Sequence, residues 1–251
     1  MEKISVLIPC HNEEKGIGKV IDSLPTDILE MLGYETEVIV IDNNSTDRTA
    51  QVAREKNAKV IYEGKKGKGS ALRAGFNALS EDAKYIVMLD GDDTYKAREI
   101  PRLIEPLASN FSDVIIGSRL GGKTKKKAFK FQNRAANWFF TFLVRHFYQA
   151  NITDVLSGYF AWKREVVEKL KPHLKSDGFS IEMEMITKMV KLGFEIYSVP
   201  ITYDQREGET KINTAIDGVK ILTMFFKNLF WSEGKSYNRK LETDLTRSGE
   251  Y

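Results

Sequence analysis

The sequence predicts an α/β fold, a mostly parallel sheet flanked by helices, and three observations carry that prediction. Short apolar runs rich in β-branched residues alternate with helical stretches along the first part of the chain. Polar clusters recur where those runs stop. The 251 residues, 42% of them hydrophobic, suffice to bury one full core. There is no internal repeat and no low-complexity linker, so one globular domain is expected.

Lys3 to Ile8 reads as the first strand and Glu14 to Ser23 as a helix. Glu37 to Ile41 is a second buried strand, ending at Asp42. Ser45 or Thr46 is placed to cap a helix that continues through Ala53. Ala58 to Tyr62 is a short third strand, and Ser70 to Leu79 a third helix. Tyr85 to Leu89 is short, apolar and β-branched, hence a fourth, buried strand. Later elements are a strand at Asp113 to Gly117 and a helix at Phe131 to Tyr148. A helix at Ile181 to Leu192, a strand at Glu195 to Val199 and a last helix at Thr214 to Trp231 follow. From Ser232 onward the chain is polar and without periodicity, a tail expected to lack fixed structure.

The balance of 38 basic and 35 acidic residues gives +3, which does not suggest nucleic acid as a partner. Lys123, Lys125, Lys126, Lys127, Lys130 and Arg134 form a local basic stretch. It suits phosphates or anionic lipid, and equally a solvated loop. Cys10 is the only cysteine, which excludes an intrachain disulfide and a thiolate metal cage. Ile4 to Pro9 is too short for a signal peptide. No run reaches the ~18 apolar residues of a spanning helix. A cytosolic protein is expected, with attachment to a membrane surface open.

Three polar clusters sit at strand ends: Pro9-Cys10-His11-Asn12-Glu13, Asp42-Asn43-Asn44-Ser45-Thr46-Asp47 and Asp90-Gly91-Asp92-Asp93. Asp90 and Asp92 can converge on one hard cation, Mg²⁺ or Mn²⁺, which takes oxygen ligands and shares them with substrate phosphates. Alone, such a cluster reads nearly as well as an acidic turn or a helix cap. Parallel strands, however, bring all three ends to one edge, where open α/β sheets hold ligands. One concave site then collects Glu13, Asp42, Asp90 and Asp92. Other nucleotide motifs fit poorly. Gly16-Ile17-Gly18 lacks the third glycine of a dinucleotide fingerprint, and Gly64 to Ser70 matches a P-loop only in composition. The lysines of that loop can still approach a phosphate.

With these residues the chain resembles a family 2 glycosyltransferase of the GT-A fold. The matching segments are Ser5 to Pro9 with Asn12-Glu13, Ile41 to Asp47, Gly67-Lys68-Gly69-Ser70-Ala71, Leu89 to Asp92 and Gly117-Ser118-Arg119. The resemblance implies that Pro9, Glu13, Asp42 and Lys68 line a nucleotide-sugar donor. It also implies that Asp90 and Asp92 hold the metal on the donor diphosphate. Asn43 departs from the family, which often has a second Asp there, and leaves the base open.

Later segments are similar to polyprenyl-phosphate hexosyltransferases, including dolichol-phosphate mannose and glucose synthases. They are Asp154 to Tyr159, Phe179 to Glu184, Val199 to Tyr203 and Arg206 to Lys211. The implied acceptor is a polyprenyl (dolichyl) phosphate. Arg119, Arg134, Arg206 and Lys211 are the residues expected at phosphates. Glu182 or Glu184 is expected to orient the metal site or a positive residue. Asp92, Arg119, Glu182, Arg206 and Lys211 are thus the expected catalytic set.

Aromatic stretches over Trp138 to Phe147 and Ile216 to Trp231, with flanking Lys, suit helices lying in a membrane interface. Core packing claims part of each stripe but does not readily explain Phe225, Phe226, Phe230 and Trp231. The expected division is a catalytic domain over 1–212, an amphipathic interfacial helix over 213–231 and a polar tail over 232–251. An integral-membrane partner is compatible with the lack of a spanning run. The expected chemistry is in-line displacement with inversion, the lipid phosphate attacking. That phosphate has its second pKa near ~6 and needs little help from a base. A soluble or lipid-linked saccharide is the alternative acceptor. A sugar nucleotidyltransferase would need a glycine-rich N-terminal triphosphate loop, and a non-catalytic lipid-binding module would not need the carboxylates.

Overall fold

The structure, a computed structural model, describes residues 1–125, 128–206 and 214–233. Seven strands form one sheet: β1 (Glu2–Cys10), β2 (Tyr34–Asp42), β3 (Lys59–Tyr62), β4 (Ala83–Met88), β5 (Val114–Thr124), β6 (Phe160–Lys163) and β7 (Ile196–Tyr203). Their order is β3-β2-β1-β4-β6-β5-β7. Every pairing is parallel except those of β6, which runs antiparallel to β4 and β5. The mostly parallel sheet predicted from the alternation is therefore what forms.

Alternation along each strand sends side chains into two cores. Leu7, Ile39, Ile41 and Met88 face one side, while Val6, Ile8, Val40 and Val87 face the other. The first core is covered by α4 (Lys68–Asn77), α6 (Phe131–Tyr148), α7 (Arg164–Leu170), α8 (Ile181–Lys191) and α9 (Thr214–Leu229). The second is covered by α1 (Ile17–Asp22), α2 (Thr26–Met31), α3 (Thr49–Glu55) and α5 (Ile100–Ala108). Crossover connections thus place helices on both faces.

Four elements were not anticipated: α2, α5, α7 and β6. α5 carries Ile100, Leu103, Ile104 and Leu107 inward at helical spacing, but Pro101 and Pro106 mask the pattern. Pro101 falls in the first turn, where its missing N–H is not needed. β6 is only four residues long, and its direction is set by the loop that brings it between β4 and β5. The start of α3 also differs, since Arg48 stands at its N-cap and makes no side-chain capping bond. Asp47 Oδ1 accepts the Thr49 N–H at 2.9 Å, whereas Ser45 Oγ accepts the Asn12 N–H at 3.0 Å. Ser45 therefore laces two loops together instead of capping the helix.

Candidate functional site

The parallel register sets Cys10 beside Asp42, so the turn after β1 and the loop after β2 meet at the carboxyl edge of the sheet. They are stitched together. Asn12 Oδ1 accepts the Thr46 N–H at 2.8 Å, and the Glu14 N–H donates to Asp47 at 3.1 Å. The Glu13 N–H donates to Thr49 Oγ1 at 2.8 Å, which fixes where its carboxylate emerges. Asp42 is buried, and its Oδ1 accepts the Ser45 N–H at 3.1 Å. Pro9 is half-buried on the same edge.

Two cations hold four carboxylates here. Lys68 Nζ lies 2.7 Å from Asp90 Oδ1 and 2.8 Å from Glu182 Oε1. Arg206 pairs with Glu13 through Nη2 and approaches Asp92 Oδ2 at 3.3 Å through Nη1. Asp92 Oδ1 accepts Thr94 Oγ1–H at 2.6 Å and the Thr94 N–H at 3.1 Å. Among the described residues this cluster carries a formal excess of two negative charges.

The pKa directions register that excess. Burial, then the neighbouring Asp90, pushes the Asp92 carboxyl up, with Arg206 opposing. Burial also raises Glu182, against the pull of Lys68. Burial pushes the Lys68 ammonium down, but Asp90 and Glu182 outweigh it and hold its pKa well above the usual range. A hard-oxygen cluster short of two positive charges fits one divalent cation of the Mg²⁺ or Mn²⁺ kind. Among the described residues no three His, Cys, Asp or Glu side chains converge on one point. Asp90 and Asp92 would therefore leave most of the coordination sphere to substrate and water.

Lys68 was expected in a loop, but it opens α4. Gly67 turns the chain into that helix at φ +135°, a conformation L side chains rarely adopt. The Gly69 and Ser70 N–H groups donate to Asp177 O at 2.8 and 3.2 Å. The Asp177 carboxylate gathers Lys65 at 2.7 Å, together with Arg73 and Ser70. Lys65, then Arg73, draws its pKa down to about 2. Behind this loop, Glu184 accepts the Ser176 N–H at 2.7 Å and pairs with buried Lys188 at 2.6 Å. Glu184 is thereby committed to loop 175–176, away from Asp90. At Gly158 an added Cβ would stand 2.5 Å from Asp90 Oδ2 and 2.9 Å from Lys68 Nζ, so only glycine leaves this corner open.

The expected phosphate ligands separate. Arg206 joins the carboxylates as described. Arg119 is turned into a buried network: Nε and Nη2 donate to Asp154 at 2.8 Å each, and Nη2 also donates to Leu156 O at 2.6 Å. Its guanidinium lies over Phe129 and Tyr203, 4.7 and 5.4 Å from the ring centroids. Burial opposes its charge, but Asp154 holds its pKa well above the usual value. Arg134 is exposed on α6. Lys211 lies outside the described residues, as do the polar tail from residue 234 and Lys126 and Lys127 of the basic stretch.

The aromatic stripes divide. Phe225 is fully buried against Phe147 and Tyr148, so core packing explains it, whereas Trp231 is half-buried against His173 and Lys188. Phe226 on α9 and Phe230 just past its end are exposed, as are Trp138, Phe139, Phe142 and Phe147 on α6.

Asn137, Asp177 and Tyr95 were not singled out from the sequence, and Asp154 only as the start of a matching segment. Asn137 Nδ2 donates to Asp154 Oδ1 at 2.6 Å, and Tyr95 Oη accepts the Gly158 N–H at 2.7 Å. Each partner is distant in sequence, so no spacing announces it. The Glu184–Lys188 pair was readable, because i and i+4 share one helix face.

The sequence profile described as "Glycosyl transferase family 2" matches residues 5–171. A protein of Haloferax volcanii named glycosyltransferase AglJ is 34% identical over 224 residues, covering 86% of this chain and 69% of that protein. A second Haloferax volcanii protein, named dolichyl-phosphate hexose transferase, is 30% identical over 222 residues, covering 88% and 91%. Among solved structures, glucosyl-3-phosphoglycerate synthase from Mycobacterium tuberculosis, in complex with Mn²⁺, UDP-glucose and phosphoglyceric acid, superposes with a TM-score of 0.72. That match is 21% identical and covers 91% of this chain and 80% of that one, a likeness of fold.

Proposed function

The chain belongs to glycosyl transferase family 2, and on that footing we propose that it moves a hexose from a nucleotide sugar to the phosphate of a polyprenyl lipid, with inversion. The observation that carries this reading is the cluster at the sheet edge, where Asp90 and Asp92 meet Lys68, Glu182, Arg206 and Glu13. Its formal excess of two negative charges among the described residues suits a divalent cation. When bound at Asp90 and Asp92, Mg²⁺ or Mn²⁺ supplies neutralisation of the departing diphosphate.

The chain's own residues do the remainder. Glu13 and Asp42, with Pro9, border the nucleoside end of the donor, the Glu13 carboxylate held by Arg206 and Asp42 Oδ1 by the Ser45 N–H. Lys68 fixes Asp90 and Glu182 in place. Arg206, reaching in from the segment after β7, covers Asp92 and Glu13 and lies where it can meet the phosphates of donor and acceptor. The acceptor phosphate oxygen attacks the anomeric carbon as the bond to the nucleoside diphosphate breaks. A phosphate monoester is largely ionised at neutral pH, so positioning and electrostatics outrank proton abstraction. Lys211 and Arg134 complete the acceptor side in this reading. Arg119 moves from phosphate ligand to buried support.

The exposed aromatics of α6 and α9, flanked by exposed Lys130, Arg134, Arg145, Lys220 and Lys227, form the face that meets the lipid acceptor's membrane, on its cytoplasmic side. Among the described residues no helix is long and apolar enough to cross a membrane. Contact through this face, alone or beside an integral-membrane partner, brings the acceptor phosphate to the sheet edge. The test is nucleoside diphosphate release from GDP-mannose, UDP-glucose and UDP-N-acetylglucosamine with Mn²⁺ and polyprenyl phosphate. Lipid-dependent release that falls by about 10² or more in Asp92→Asn supports it. Full activity in Asp92→Asn refutes the metal assignment.

A further inference from the structure

Asn43 has a purpose other than reading the base. Its Nδ2 group donates to Glu63 O at 3.1 Å and to Lys65 O at 2.7 Å. Its Oδ1 accepts the Gly67 N–H at 2.7 Å. A primary amide has two N–H donors and a carbonyl oxygen with two lone pairs, and here both donors and one lone pair are spent on one loop. Two backbone carbonyls on one side and an N–H on the other also leave only one way round for the amide. Asn43 is itself anchored, since its N–H donates to Cys10 O at 2.8 Å and its carbonyl oxygen lies 2.9 Å from His11 Nδ1.

The loop so held runs from the end of β3 to Lys68. Gly67 is the residue before Lys68, and its φ of +135° aims the chain into α4. Nothing but a side chain at position 43 ties residues 63, 65 and 67 together in this way among the bonds described. An aspartate there keeps the bond to the Gly67 N–H but loses both donors and turns a charge toward two carbonyl oxygens. The departure from aspartate therefore has a structural content.

We infer that Asn43 is a positioning residue, whose amide sets the 63–67 loop as a wall of the donor pocket and thereby places Lys68 against Asp90 and Glu182. This rests on the donor-site reading of the sheet edge given above. It removes Asn43 from the groups that contact the base and leaves that task to Asp42 and its neighbours.

Binding of GDP and UDP, each with Mn²⁺, tests it by a double-mutant cycle of Asn43→Ala and Lys68→Met, with far-UV circular dichroism as the check on folding. Asn43→Ala is expected to weaken the preferred nucleotide by about tenfold in the parent protein and by less than about twofold in Lys68→Met, because the two act through one element. Asn43→Asp is expected to bind more weakly than Asn43→Ala at pH 8, and to gain on it as pH falls and a protonated carboxyl regains one donor. Asn43→Ser, smaller and polar, substitutes if either Asn43 variant fails to fold, and Lys68→Met with Glu182→Gln serves as the background if Lys68→Met alone does. Equal losses in both backgrounds, or no loss, overturn the inference while leaving the donor site intact. If the parent protein binds neither nucleotide, the donor-site reading falls, and the inference with it.

Discussion

Lys68 Nζ stands between Asp90 and Glu182, 2.7 Å from one carboxylate and 2.8 Å from the other, with both Lys68 and Glu182 largely shielded from solvent. Removing the cation leaves two carboxylates facing each other across a nearly dry corner. Lys68→Met is expected to cost about 3–5 kcal/mol, the range for breaking a buried pair from one side. Adding Glu182→Gln should recover more than half of that. Urea unfolding of the single and double variants measures both, and additive losses would show that Lys68 is not their shared counter-ion.

Arg119 and Asp154 make the same argument away from the cluster. Asp154 is fully buried and accepts from the Arg119 side chain, the Arg119 N–H and Asn137. Asp154→Ala is expected to destabilise by about 3–5 kcal/mol. Arg119→Lys should also destabilise, since an ammonium lacks the planar fork. Unchanged unfolding with a raised acceptor KM in Arg119→Lys would instead make Arg119 a phosphate ligand.

α9 separates packing from surface one residue apart. Phe225→Ala removes a fully buried ring and should cost about 3–5 kcal/mol. The pair Phe226→Ser and Phe230→Ser should change unfolding by roughly 0.5 kcal/mol or less per site. The same pair should reduce sedimentation with anionic liposomes. Wild-type liposome binding by it would remove α9 from the membrane face.

Asp177 sets a pH dependence. Its folded pKa is about 2, below the unfolded value of ~3.9, so the ionised form favours the folded state. Its contribution is complete above pH ~4 and is lost as pH falls toward 2. Asp177→Asn should be less stable than the parent at pH 6, and the difference should shrink across that acid window. Stability curves against pH read this directly, and a gap that stays constant to pH 2 would rule it out.

Much of this was readable in the chain. The alternation of apolar runs gave β1, β3 and β4 to within two residues and β2 short by three at its start, and the polar clusters marked which strand ends share an edge. Phe225 was expected outside the core, yet Ile221 and Phe225, four residues apart, share the buried face of α9 while Phe226 is exposed. What stayed hidden depends on partners distant in sequence. Lys68 looks like a loop lysine until Asp177, over a hundred residues on, secures the start of α4. Arg119 looks like a phosphate ligand until Asp154 takes its fork. α5 has a clear inward face, but two prolines speak against a helix at the level of local sequence.

The most direct measurement is the identity of the lipid product when protein, Mn²⁺, polyprenyl phosphate and the preferred nucleotide sugar are mixed. One nucleoside diphosphate released for each polyprenyl monophosphate hexose formed, with the anomeric configuration inverted, is the expected result. Release of nucleoside monophosphate with a lipid diphosphate sugar, or release of nucleoside diphosphate without any lipid product, would contradict it.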